Sequence, residues 1–296
     1  MKDRLVDAAY GLGWAAVRGM PERLARAQFD AVADAAYLRG GRGVRRLRSN
    51  LRRVVGEDRL ESTTRAAMRS YLRYWCEAFR LPAIPREEVI RRCVVADEHY
   101  LRDGYARGRG VILALPHMGN WDWAGAWLTG TGVPFTTVAE RLKPEQLFDR
   151  FVAFRESIGM EVVPLTGGDR PPAAVLTERL EAGGCLCLLA DRDLTATGVP
   201  VSFFGATAKM PAGPAALSLE TGAVLVPVTL WYGDARTMHC RMWPPLAPPE
   251  GGSRREQVAG LTQALADVFA LGIAEHPADW HMLQRLWVDE QGAVPR

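Results

Sequence analysis

A histidine followed closely by a carboxylate is the most chemically suggestive feature of the sequence. His117 comes just after the apolar run 111–115 and a proline, and Asp122 follows five residues later. An amphipathic segment opens at Trp121, so the pattern predicts a buried strand that delivers His117 to the start of a helix. Ligands gather at the carboxyl ends of strands in open α/β folds. We therefore expect His117 at an active site.

General-base catalysis is the chemistry that this arrangement predicts. The positive end of a helix disfavours the imidazolium, which keeps His117 neutral and able to take a proton. A nearby carboxylate such as Asp122 on the other ring nitrogen would fix its tautomer. Amides at the same helix end can stabilise an oxyanion. The alternative is that His117 is structural, as most single histidines are.

Two other predicted strands end in a carboxylate next to an arginine. Glu140 and Arg141 close one apolar run, and Asp191 and Arg192 close another. On a parallel sheet both pairs would lie at the same edge as His117, where ligands bind. The alternative is that they are ion pairs that only terminate strands.

Several common catalytic motifs are absent from the sequence. It has no glycine-rich phosphate loop, no GxSxG elbow, no HExxH and no cysteine–histidine cluster with zinc spacing. We therefore expect no metal and no bound cofactor. Arg155 precedes a predicted strand and is expected to meet a phosphate or a helix end. A base, carboxylates and arginines without an evident nucleophile favour direct transfer to an acceptor hydroxyl.

The elements that position these residues alternate from about residue 108 onward. The predicted strands are 111–115, 135–139, 161–165, 185–190, 223–230 and, as a possible last strand, 239–246. The predicted helices are 121–129, 144–158, 172–182, 213–221 and 256–276. This alternation predicts an α/β fold with a mostly parallel central sheet flanked by helices.

The first 80 residues are predicted to be helical and basic. Twelve basic residues oppose five acidic ones up to Arg53, whereas the whole chain carries only +3. These helices either pack on the core or lie on a membrane, with apolar residues such as Leu12 and Trp14 in the lipid and arginines at anionic head groups. The two interpretations are compatible. We expect a helical segment 1–80 and an α/β domain 81–296 in one continuous unit. Nucleic acid is disfavoured, because no nucleic-acid motif accompanies the basic residues.

Neither a membrane-spanning helix nor a signal peptide is predicted. No apolar run reaches about 18 residues, and the N-terminus is charged and lacks an apolar h-region. The five cysteines have no metal spacing, and an odd number without a secretion signal favours a reducing cytoplasm.

Taken together, the motifs resemble a known family. His117-x4-Asp122 resembles the HX4D box of glycerolipid acyltransferases. Asp191-Arg192-Asp193 with residues 201–205, and then residues 226–228, resemble two later boxes of the lipid A biosynthesis (lauroyl/myristoyl) acyltransferases. Segments 115–122, 136–145, 210–215 and 276–283 are similar to those of actinobacterial phosphatidylinositol mannoside acyltransferases. The likeness covers residues 45 to 287, nearly the whole chain.

The resemblance implies an acyl-CoA-dependent O-acyltransferase. Such enzymes move a long acyl chain to the 6-position of a mannose on phosphatidylinositol mannoside, at the cytoplasmic face of the plasma membrane. It implies that His117 is the base, that Asp191 works beside it, and that Asp122 and Glu140 support the site. The family pattern has glutamate where this chain has Asp191, whose side chain is one methylene shorter.

Substrate contacts and partners follow from the same resemblance. The residues expected to bind substrate are Trp121, Arg141, Arg155, Arg192 and Glu220. Acyl-CoA is then a co-substrate rather than a cofactor, a glycolipid is the acceptor, and an anionic membrane surface is the partner. The alternatives are a different glycolipid or lipid A-like acceptor, acyl carrier protein as donor, or a lipid-binding protein without catalysis.

Overall fold

The computed structural model describes Trp14 and residues 16–141, 145–193, 198–234 and 236–288. Helices come first in this part of the chain. They are α1 (Glu22–Arg39), α2 (Arg42–Arg52), α3 (Glu57–Arg80), the 3₁₀ turn Leu81–Ala83 and α4 (Arg86–Arg91). Alternating strands and helices follow, as the sequence predicts.

The alternating region runs from β1 to a long last helix. Its elements are β1 (Cys93–Ala96), α5 (His99–Ala106), β2 (Val111–Leu115), α6 (Trp121–Gly130), β3 (Phe135–Ala139), α7 (Glu145–Ser157), β4 (Glu161–Pro164), α8 (Pro172–Glu181), β5 (Cys185–Leu189), β6 (Val199–Phe203), β7 (Ala206–Met210), α9 (Gly213–Thr221), β8 (Val224–Tyr232), β9 (Met238–Met242), α10 (Arg254–Glu275) and the 3₁₀ turn Pro277–Asp279.

Seven of these strands form one mixed sheet in the described part of the chain. Their order is β1-β9-β8-β2-β5-β3-β4, and only β8 and β9 are antiparallel neighbours. The prediction of an α/β fold with a mostly parallel sheet is confirmed. The sequence analysis missed β1, which has only four residues and an exposed Val94. It also missed the hairpin β6–β7, whose strands bury only alternate residues.

The sheet has a hydrophobic layer on each face. Along β2 the side chains alternate, so Ile112 packs with α8, α9 and α10, whereas Leu113 packs with α6 and the C-terminal half of α3. Because both faces are covered, β2 is buried along its whole length and reads as a continuous apolar run.

The basic N-terminal helices pack onto this core. Leu47 and Leu51 of α2 are wholly buried in the same cluster as Trp280. The indole nitrogen of Trp14 donates to the carbonyl of Phe79 at 2.9 Å, and the two rings are 4.9 Å apart. The prediction that Trp14 inserts into lipid is therefore wrong. Residues 1–13 and 15 of the predicted first helix, including Leu12, lie outside the described residues, whereas residues 16–19 are helical.

Helix α10 is the described helix that is long and apolar enough to cross a membrane by length and composition. Here it packs against β6 and β8, and Leu265, Phe269 and Ile273 are buried in the core. This is the packing of a core helix in a globular domain.

Strand order determines which residues meet at the carboxyl edge of the sheet. β2 and β5 are parallel neighbours in the register Leu115↔Leu189. His117 and Asp191 each lie two residues beyond this pair. The fold therefore brings together two residues that are 74 positions apart.

Candidate active site

A tight turn between β2 and α6 presents His117. Gly119 has φ +59°, and a Cβ there would lie 2.8 Å from the Cβ of Leu230, so the turn requires glycine. The side chain of Asn120 then caps α6 by accepting from the amide of Trp123 at 2.9 Å. The turn is thus fixed directly after the histidine.

The carboxylate that contacts His117 is Asp191. Oδ1 of Asp191 is 2.6 Å from Nδ1 of His117, and Oδ2 accepts from the backbone amide of His117 at 3.0 Å. The indole of Trp280 also donates to Oδ2, at 3.0 Å. Asp191 is wholly buried, whereas the His117 side chain is 23% exposed. One ring nitrogen is therefore held by the protein, and the ring remains accessible.

The electrostatics of this pair favour a charged Asp191. Burial alone would raise the pKa of Asp191, but His117 and the N–H donors around the carboxylate lower it below its ordinary value. An ionised Asp191 accepts the proton on Nδ1 of His117. The other ring nitrogen, Nε2, is then the one that can take a proton.

Asp122 does not contact His117, which corrects the expectation that it orients the ring. Its carboxylate is 1% exposed and faces the interior of the protein. Tyr74 donates to Oδ2 at 2.7 Å, and Nε of Arg155 donates to Oδ1 at 2.8 Å. Asp122 therefore joins α6 to α3 and α7.

Arg155 is a partner of this buried carboxylate rather than a free phosphate ligand. Its side chain is 17% exposed. Burial opposes its charge, but Asp122 raises the pKa of Arg155 above its ordinary value. Burial and Asp122 also raise the pKa of Tyr74. The three groups form a charge-balanced cluster next to the histidine turn.

The residues of the two carboxylate–arginine pairs at the strand ends contact other partners in the structure. Glu140, half-exposed, lies 3.6 Å from Arg192 across the neighbouring ends of β3 and β5. Arg141 instead binds Glu145 and the carbonyls of Thr166 and Gly167. Arg192 follows Asp191 directly, whereas Arg141 faces the loop after β4. Of these contacts, only the Glu140–Arg192 pair lies near the buried carboxylate of Asp191.

Trp121 and Glu220 lie at opposite ends of the sheet. The ring of Trp121 is 5.6 Å from that of His117 and 4.1 Å from that of Tyr74. Glu220 is exposed near the end of α9, just before β8, whose first residue pairs in parallel with the first residue of β2. The expectation that Glu220 binds substrate is therefore wrong for a site at His117.

The sequence analysis missed a set of residues that hold the histidine turn. Within segment 276–283, the amide of His281 donates to the carbonyl of His117 at 2.8 Å, and the amide of Gly119 donates to that of Asp279 at 2.9 Å. Ser70 lies between the side chains of Asp279, at 2.5 Å, and His281, at 2.9 Å. The segment was noted for its resemblance, but nothing local indicated what it contacts.

An apolar pocket lies between α6 and the sheet. Trp121, Asp122 and Arg155 line the end nearest the histidine turn. Leu113, Gly125, Leu128, Phe135, Met160, Cys187 and Met242 are among the residues that line the rest. Such a pocket suits a long hydrocarbon chain rather than a polar ligand. Among the described residues, no cluster of three or more histidine, cysteine or acidic side chains could hold a metal ion.

Comparison with known proteins identifies the class of enzyme. Residues 2–289 match the model of the bacterial lipid A biosynthesis acyltransferases, so the chain is an acyltransferase. It belongs to the lipid A biosynthesis acyltransferase family, which confirms the resemblance seen in the motifs.

Two relatives cover almost the whole chain. The phosphatidylinositol mannoside acyltransferase of Mycolicibacterium smegmatis is 51% identical over 289 residues, which are 96% of this chain and 92% of the relative. The protein of the same name from Mycobacterium tuberculosis is 48% identical over 287 residues, 95% of this chain and 88% of the relative.

The buried His281 should make the protein less stable as the pH falls. Burial, with a contribution from His117, lowers the pKa of His281 from 6.5 to about 3. Between these values the unfolded chain binds the extra proton, so the free energy of unfolding should fall with pH, by about 2 kcal/mol from this residue between pH 7 and pH 5. Urea denaturation at the two pH values measures this change.

Two variants test whether His281 causes this pH dependence. His281→Gln should remove this part of the pH dependence. His99→Gln, at an exposed histidine, should keep the wild-type pH dependence. A pH dependence that is the same in His281→Gln and wild type would contradict a neutral, buried His281.

Proposed function

We propose that the enzyme transfers a long fatty acyl group from acyl-CoA to a mannose hydroxyl of phosphatidylinositol mannoside. The observation that carries the proposal is the His117–Asp191 pair, whose Nδ1 and Oδ1 are 2.6 Å apart beside an apolar pocket. The acceptor is inferred from the names of the relatives that match 95% or more of the chain.

In this proposal His117 acts first as a general base. Asp191 accepts from Nδ1, so Nε2 takes the proton of the mannose hydroxyl while its oxygen attacks the thioester carbonyl carbon. The tetrahedral intermediate then collapses, and the C–S bond breaks. The sulfur leaves as the CoA thiol with the proton that His117 had taken. No bond forms between the acyl group and the protein.

The first turn of α6 stabilises the oxyanion of this intermediate. The amides of Gly119 and Trp123 already donate to Asp279 and Asn120. The backbone N–H groups of Trp121 and Asp122 belong to the same turn, and we assign the oxyanion to them. The positive end of the helix adds to their effect.

The acyl chain occupies the pocket below α6. Its walls are mostly apolar, and its charged residues Asp122 and Arg155 neutralise each other at the end near His117. A chain that enters from this end places its thioester at the histidine turn, while the hydrocarbon is removed from water.

Loss of the base or of its partner should abolish transfer. His117→Ala removes the base and should lower kcat by about 10²–10⁴-fold, with the fold intact because His117 is partly exposed. Asp191→Asn should be similarly damaging, since it loses the charge that fixes the tautomer. Asp191→Glu, which keeps the charge, should be tolerated. Equal activity of all three Asp191 forms would reduce it to a structural residue.

The substrates are tested by release of free thiol from palmitoyl-CoA. Thiol release that depends on added phosphatidylinositol mannoside, together with an acylated product in mass spectrometry, is the expected result. A rate that rises only with a lipid A-like or other glycolipid would assign a different acceptor. A rate that needs palmitoyl-acyl carrier protein would assign a different donor. Thioester that stays intact with all acceptors would contradict the proposal.

The acceptor has lipid tails, so the enzyme must bind a membrane, and we place it at the cytoplasmic face of the plasma membrane. The outer side of α1 supports this, because Leu24, Val32 and Leu38 are 51%, 56% and 81% exposed. The exposed Arg42 and Arg45 follow it directly. An apolar surface beside arginines suits anionic lipid.

Ion pairs with acidic side chains narrow the set of arginines whose charge is available to lipid. Arg48 pairs with Glu61 at 2.7 Å, and Arg52 pairs with Glu57 at 2.6 Å, so these two are partly neutralised. Arg53 is exposed and lies over the ring of Trp287. Arg42, Arg45 and Arg53 are therefore the residues to test.

Replacing these three arginines by glutamine should weaken binding to anionic vesicles and flatten its salt dependence. Each arginine near such a surface contributes on the order of 1 kcal/mol. The matched control replaces the exposed Arg107, Arg109 and Arg255, which removes the same charge elsewhere. Vesicle flotation at two salt concentrations measures both. If the two triple variants bound equally well, another surface would have to contact the membrane.

A further inference from the structure

The segment 276–283 contacts both members of the His117–Asp191 pair. Its backbone binds the histidine turn, through the amide of His281 and the carbonyl of Asp279, and Met118 and Trp280 form an isolated β-bridge. The side chain of Trp280 reaches the other member, since its indole nitrogen donates to Oδ2 of Asp191 at 3.0 Å. One short piece of chain thus fixes the two groups relative to each other.

The indole contact determines which carboxylate oxygen meets the imidazole. Oδ2 of Asp191 accepts two N–H groups, from the backbone of His117 and from Trp280, each at 3.0 Å. Oδ1 is then directed at Nδ1 of His117, at 2.6 Å. The terminal torsion of an aspartate is broad and roughly two-fold, so the bond from Cβ to Cγ alone does not hold this orientation. Two donors from separate segments hold this orientation.

We propose that Trp280 is a positioning residue for acyl transfer, which holds the Asp191 carboxylate in the plane that orients His117. The inference rests on the proposed function, in which His117 is the base. Trp280 contacts neither acyl donor nor acceptor in this account, because it is 0% exposed. It acts only through Asp191.

The competing explanation is that Trp280 is a large core residue and nothing more. Its ring lies 6.0 Å from that of Phe203 and 6.2 Å from that of Phe204, and burial of so large an apolar ring is stabilising by itself. The chain offers a control for this explanation in Trp287. That residue is also 0% exposed and lies 6.1 Å from Phe203, but its indole nitrogen has no hydrogen-bond partner among the described residues.

The test compares Trp280→Phe with Trp287→Phe. Both changes remove an indole N–H and reduce a buried ring, but only the first removes a hydrogen bond to a charged group. Trp280→Phe should lower kcat about ten- to a hundredfold and leave KM for palmitoyl-CoA within about twofold, because the lost contact acts on the base and not on binding. Trp287→Phe should keep kcat within about twofold of wild type.

A double-mutant cycle separates positioning from packing. If Trp280 acts through Asp191, then Trp280→Phe should cost almost nothing in an Asp191→Asn background. Thermal melting of each variant establishes that it is folded. Should Trp280→Phe not fold, the similarly sized Trp280→His and Trp280→Leu provide a second comparison, and the variant with an N–H donor should retain the higher kcat.

Two results would overturn the proposal. One is a kcat for Trp280→Phe that equals wild type or matches that of Trp287→Phe. The other is a double variant, Trp280→Phe with Asp191→Asn, whose loss of kcat equals the product of the two single losses. Thiol release from palmitoyl-CoA is followed with and without phosphatidylinositol mannoside. Failure of that acceptor would contradict the proposed function, while the comparison of variants still reports on the His117–Asp191 pair through thioester hydrolysis.

Discussion

The charge on Asp191 is the constraint that shapes the rest of the site. The side chain is wholly buried, and an ionised carboxylate in such a place is costly unless it is hydrogen-bonded and paired. Asp191 meets this requirement with the ring and the amide of His117 and the indole of Trp280. These donors come from the ends of different segments, so the sheet, the histidine turn and the segment 276–283 must all be in place for the carboxylate to be buried in its ionised form.

A second buried carboxylate performs a different task nearby. Asp122 lies in the first turn of α6, where its charge suits the positive end of the helix, and it binds Tyr74 and Arg155. Separating α6 from α7 would leave a buried charge without its partner, which is destabilising. This cluster therefore keeps the two helices together above the apolar pocket. Thus Asp191 contacts His117, whereas Asp122 joins the helices around the pocket.

Much of the fold could be predicted from the sequence, because buried parallel strands are short continuous apolar runs. The runs at 111–115 and 135–139 coincide with β2 and β3. The pairing of strands could not be predicted in the same way. Asp122 is close to His117 in the chain, but Asp191 is close in space, because β5 rather than a strand nearer in sequence lies beside β2.

The same reasoning explains the other errors at the site. Glu220 precedes a strand rather than following one, and in a parallel sheet that alone places it at the edge away from His117. This error came from the resemblance, and strand polarity could have corrected it. Nothing in the sequence around Trp280 indicated its contact with Asp191. A tryptophan beside a 3₁₀ turn can pack in the core or donate a hydrogen bond, and the sequence does not distinguish the two. Contacts over 89 residues of sequence, such as Trp280 to Asp191, require the fold.

Water is the competitor that a base of this kind has to reject. His117 is 23% exposed, so in the proposed mechanism a water molecule beside Nε2 would compete with the acceptor hydroxyl for the same base. In the proposed mechanism the His117–Asp191 pair therefore provides reactivity but not selectivity. In that mechanism selectivity has to come from the placement of the acceptor, because a hydroxyl held in the reactive geometry lowers the entropic cost of the reaction. An enzyme with this site gains most when its rim lies on the lipid surface, and an exposed apolar face on α1 next to the basic start of α2 is the kind of surface that would hold it there.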